Sequence, residues 1–97
     1  MDLYYFSSDR RLTELIFAEN EKRASEMFGE LLIMSRVPPA TFWSRTMTIE
    51  DVVGDARGHL EKALARKQEG FGEYRPLRGW TIIPLVERLQ RLLDDSG

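Results

Sequence analysis

The chain has 97 residues, ten of them aromatic, with 42% hydrophobic and 31% charged residues, a balance that suits one small globular domain and excludes wholesale disorder. It contains no cysteine, which excludes a disulfide scaffold, a thiolate zinc site and a cysteine nucleophile, and fits a reducing, cytoplasmic compartment. The formal net charge of −2 argues against non-specific binding to phosphate backbones, because counterion release needs a surplus of positive groups.

The chain opens Asp2-Leu3-Tyr4-Tyr5, without the basic region and apolar run of a signal peptide. No apolar run is long enough to span a membrane. Residues 2–7 are rich in aromatics and predict a first strand. Residues 8–11 form a polar, turn-like break, and residues 12–18 predict a second strand, so that the pair makes an N-terminal hairpin. In this second run Leu12 and Ile16 fall on one face and Leu15 and Phe17 on the other. A strand apolar on both faces is expected to be covered on both sides, and in so small a domain a partner chain is a candidate for the second cover.

Asn20 predicts the cap of a helix, with Glu21 at its positive end. Ala24, Met27, Phe28, Leu31 and Leu32 recur at helical spacing, and the helix must stop before Val37-Pro38-Pro39. Residues 41–47 predict a third strand. Thr48 and Asp51 resemble a capping box for a second helix, with Ile49, Val52, Val53, Ala56, Leu60, Ala63 and Leu64 on its apolar side. Gly54 and Gly58 weaken that helix by about 1 kcal/mol each relative to alanine, so a late start is one expectation. Gly70-Phe71-Gly72 is expected to end it. Residues 73–75 and 80–83 predict two short strands around a turn with Pro76 and Gly79. Pro84 suits the first turn of a last helix, whose apolar stripe is Leu85, Val86, Leu89, Leu92 and Leu93. The expected fold is α+β: one domain over residues 1–97, in the order β-β-α-β-α-β-β-α, mainly antiparallel sheet with helices packed on it and a frayed tail at 94–97.

Chemistry is scarce. Asp51, Asp55 and the only histidine, His59, share one helical stripe, but a second histidine and a nucleophile are missing. A solvated face with a local Asp55–His59 contact is the expectation. No serine elbow and no phosphate-cradling glycine loop is present. No catalytic residue, metal ligand or cofactor is therefore assigned. Gly70-Phe71-Gly72-Glu73-Tyr74 resembles, over these few residues, the aromatic strand signature of RNA-recognition motifs. Here Glu69 stands at the basic position and Glu73 at a stacking position, and a β-β-α start departs from that family's β-α-β order.

Two surfaces remain. A non-catalytic protein-interaction module, as a homodimer or a small adaptor or inhibitor, is the leading expectation, with Leu12, Ile16, Trp43, Trp80, Leu89 and Leu93 as interface candidates. Its partner would be protein, self or heterologous, and not a membrane. The alternative is an accessory nucleic-acid binder using Arg57, Lys62, Arg66, Lys67, Arg75 and Arg78, with aromatics interleaved. A third class, a small-ligand domain or enzyme, needs a pocket that the sequence does not reveal.

Overall fold

The computed structural model describes residues 1–9, 12–35 and 41–96. The expected order is found. The elements are β1 (Asp2–Ser8), β2 (Thr13–Ala18), α1 (Glu21–Met34), β3 (Phe42–Met47), α2 (Asp55–Ala65), β4 (Gly70–Arg75), β5 (Gly79–Ile83) and α3 (Leu85–Ser96). A short 3-10 turn, Ile49–Asp51, separates β3 from α2. Positions 10, 11, 37–40 and 97, which belong to the expected turn, loop and tail, lie outside the described residues. No described helix is long and apolar enough to cross a membrane.

The five strands form one antiparallel sheet in the order β3-β1-β2-β4-β5. β1 and β2 pair as a hairpin, with Tyr4 opposite Ile16. Helix α1 then carries the chain back across β2 and β1, so that β3 pairs with the far side of β1. Helix α2 returns it to the other side of β2, where β4 and β5 form a second hairpin. This routing makes β3 and β5 the two edges.

The start of α1 follows its sequence: Asn20 Oδ1 accepts the Arg23 backbone N–H at 2.8 Å, and Glu21 sits in the first turn. Its apolar stripe is buried. Two expectations need correction. Thr48 and Asp51 do form a capping box, but on the 3-10 turn, and α2 begins only at Asp55. Gly54, at φ +65°, breaks the path in a conformation that side-chain-bearing residues rarely adopt, and Val53 is left 82% exposed. The second correction concerns residues 70–72. They do not end α2; Lys67 does, at φ +52°, and Gly70 to Gly72 already belong to β4. A side chain at Gly72 would meet the rings of Phe17 and Trp80 within 3 Å, so the missing Cβ is what lets these rings pack over β4.

The sheet is covered on both faces. On one, α1 and α3 bury Tyr4, Phe6, Ile16, Ala18 and Phe71. Phe6 stacks on Phe28 at 4.9 Å. On the other, α2 covers Leu3, Phe17, Trp80 and Ile82 with Leu60 and Ala63. Ile16 and Phe17, on opposite faces of β2, are both fully buried. The two-sided strand is thus covered within its own chain, by α2, and needs no partner at these positions.

Candidate interaction surface

The Asp51, Asp55 and His59 stripe does not exist as a site. Asp51 lies outside α2, and its carboxylate accepts the Thr48 backbone N–H at 2.7 Å, which holds its pKa below the ordinary range. His59 packs beside Tyr74, with ring centroids 6.0 Å apart, and against Gly79. With Asp55 and Lys62 it lines a shallow surface depression. Among the described residues no three His, Asp or Glu side chains gather as a metal-holding group. A second depression, lined by Tyr5, Thr13, Glu14, Leu15 and Gly72, lies where β2 and β4 diverge after two residue pairs.

The basic candidates lie along α2, at its exit and around the β4–β5 turn. Arg57 pairs loosely with Glu61 one turn on, at 4.0 Å. Lys62 borders the His59 depression, and Lys67 forms the exit of α2. Arg75 and Arg78 flank the β4–β5 turn, which the Arg78 N–H closes onto the Arg75 carbonyl. Arg66 points its guanidinium at the Trp80 carbonyl. Of the interleaved aromatics Phe71, Tyr74 and Trp80, the first and last are buried and offer no face for base stacking, while Tyr74 is half-buried beside His59 and Trp80.

The six apolar interface candidates do not form one patch. Ile16 and Trp80 lie inside the protomer. Leu12 and Leu89 pack against the α1/α3 core. Only Trp43, 53% exposed, and Leu93, 50% exposed, present large apolar surface, and they belong to different elements. Trp80 Nε1 is buried without a hydrogen-bond partner among the described residues.

The edges of the sheet differ in a way no hydropathy pattern displays. On β5, the Arg66 guanidinium donates to the Trp80 carbonyl at 3.0 Å and the Gln68 amide to the Ile82 carbonyl at 3.5 Å. Backbone groups on a strand alternate in direction, so Trp80 and Ile82 are the residues whose carbonyls point away from β4. Side chains at and just beyond the end of α2 therefore cap the two outward carbonyls of this edge. The segment carrying Gln68 is itself strapped to α1: Arg23 grips Glu69 with two hydrogen bonds, of 2.7 and 3.0 Å, holding the Glu69 pKa below the ordinary carboxylate range.

On β3 the same alternation gives the opposite result. The Asp9 N–H donates to the Thr41 carbonyl, in register with Ser7 opposite Trp43 and Tyr5 opposite Arg45. Odd-numbered positions of β3 thus bond to β1, and the backbone groups of Phe42, Ser44 and Thr46 point outward. Among the described residues none of these three N–H groups donates, and none of these three carbonyls accepts, a hydrogen bond. Phe42 is held from below, edge-on to Phe28 at 5.2 Å and 6.1 Å from Phe6. The Ser44 hydroxyl donates to Glu21 of α1. Trp43 and Arg45 are exposed side by side on the opposite face. The strand is therefore positioned by the core, while its outer edge is bare among the described residues. Residues 42 to 46 are legible in the sequence only in part: Trp43 stands out by size, but the open backbone edge follows from strand order alone.

Set against protein-family models, curated proteins and solved structures, the chain matches none.

Proposed function

We propose that the chain is a non-catalytic interaction module that works by pairing with another protein chain, in the first place a second copy of itself. What supports this is one observation: the outer edge of β3 presents three residues' worth of backbone groups unpaired among the described residues, flanked by exposed Phe42, Trp43 and Arg45, while the outward carbonyls of the other edge are capped. An open edge is a ready template for strand addition, in which backbone hydrogen bonds supply affinity and alternate side chains supply specificity. A cytoplasmic setting belongs to the same proposal, since a cysteine-free chain suits a reducing compartment.

The test is the mass in solution, by size-exclusion chromatography with light scattering and absorbance at two wavelengths, from micromolar to near-millimolar concentration. A concentration-dependent dimer without nucleic-acid absorbance is expected. A protomer mass at every concentration, or co-purifying nucleic acid that scales with the protein, would overturn the proposal.

A further inference from the structure

We infer that two copies pair β3 against β3 in an antiparallel register centred on Ser44, and that the Trp43 indole of each copy then lies against the Arg45 guanidinium of the other. This rests on the association proposed above and adds its geometry. A two-fold axis that joins two antiparallel edge strands stands perpendicular to the sheet and places one residue opposite itself. The choice of that residue fixes every other pair.

Three registers bring the outward groups into reach. Centring on Arg45 sets two guanidinium groups directly opposite, and like charges in that position are destabilising. Centring on Trp43 leaves the outward groups of Thr46 unmatched. Centring on Ser44 pairs Ser44 with Ser44 of the partner, and Phe42 with Thr46 in both directions. All outward N–H and C=O groups of both strands are then used. Trp43 and Arg45 fall opposite one another in the non-hydrogen-bonded positions, where side chains stand closest. A guanidinium over an indole face is a favourable contact, formed twice by symmetry. Arg45 is the only charged residue of β3, so the strand offers one cation and one large π face, two residues apart on the same side. The result is a continuous ten-stranded sheet ended at both sides by the capped β5 edges.

The absence of native cysteine makes this register directly readable. In the Ser44-centred pair the two Ser44 Cα atoms stand about 5.5 Å apart, within disulfide range. Ser44→Cys is therefore expected to give a covalent dimer on mild oxidation of the whole chain. Thr46→Cys, whose two copies lie about 14 Å apart along the strands, is expected to stay uncrosslinked. Should Ser44→Cys fold poorly for loss of its bond to Glu21, an equimolar mixture of Trp43→Cys and Arg45→Cys replaces it. There the expected product is the mixed dimer, in which the second Trp43–Arg45 pair remains intact. Arg45→Glu should also weaken association of the otherwise native chain at least tenfold. A dimer by light scattering that crosslinks through Trp43→Cys or Arg45→Cys alone, and not through Ser44→Cys, overturns the register and leaves the association standing. A protomer mass at every concentration overturns both.

Discussion

The two edges of the sheet are built from strands of similar length, and the more apolar of the two is the one that is closed. β5, with Trp80, Ile82 and Ile83, is covered by α2 and has its outward carbonyls capped by Arg66 and Gln68. β3, with Ser44, Arg45 and Thr46 among its residues, has no such cover. Whether an edge is available is thus decided by what the neighbouring helix can reach, and only secondarily by the strand's own composition. Here α2 lies alongside β5 and ends next to it, whereas β3 is followed by a 3-10 turn that leads the chain away.

The largest effect is expected from Phe28→Ala, which removes the ring on which both Phe6 and Phe42 rest. It should cost about 3–5 kcal/mol in denaturant-induced unfolding, and loosen β3 enough to abolish association. Thr46→Pro comes next. The Thr46 N–H points outward, so proline removes no bond to β1 but deletes a donor from the open edge. Two such donors are lost per dimer, and association should weaken at least tenfold while unfolding of the protomer shifts by no more than about 1 kcal/mol; light scattering and thermal melts read the two effects separately.

Opening the closed edge is the converse experiment. Arg66→Ala strips the cap from the Trp80 carbonyl at a cost of about 1 kcal/mol in stability. A protomer with two open edges can propagate end to end, so this variant should form species larger than a dimer as concentration rises. A variant that remains strictly dimeric would mean that the cap does not guard the edge.

The smallest effect concerns the strap that holds the capping segment. Arg23 keeps the folded-state pKa of Glu69 below its unfolded value, so the pair stabilises the fold above the ordinary carboxylate range, and that contribution fades as pH falls through the depressed value. Glu69→Gln should therefore lower the melting temperature slightly at pH 7, by the equivalent of less than about 1 kcal/mol because both groups are partly exposed, and make no difference in strong acid. Glu14 runs the other way. Burial raises its pKa in spite of the Arg88 partner at 3.0 Å, so its contribution is fullest below the unfolded value and declines as pH rises through the folded one. Melting curves of the wild type and of Glu69→Gln between pH 3 and pH 7 would separate the two.

Much of the fold was legible because period and caps agreed. The hairpin, the Asn20 cap and the stripe from Ala24 to Leu32 each combined a local signal with an apolar pattern. The start of α2 and the extent of β4 were harder, because they turn on glycines whose meaning is set by tertiary contact. Gly54 breaks a helix that the apolar pattern would continue, and Gly72 makes room for rings that come from β2 and β5. The surface was least legible. Hydropathy ranked Ile16 and Trp80 beside Trp43 although the first two are core, since apolarity alone does not say which way a residue faces. The outward backbone of Phe42, Ser44 and Thr46 carries no side-chain signature, and its exposure follows from α1 routing β3 to the outside of β1.

On this account β3 is an edge that pairs with itself and β5 is not. Amide hydrogen exchange measured at low and high protein concentration tests it most directly. The Trp43 and Arg45 amides, bonded to β1, should be protected at both concentrations. The Phe42, Ser44 and Thr46 amides should exchange freely when dilute and become protected as concentration rises, with no matching change at Trp80 and Ile82. Exchange of the three β3 amides that stays fast at every concentration, or protection that rises on β5 instead, would contradict it.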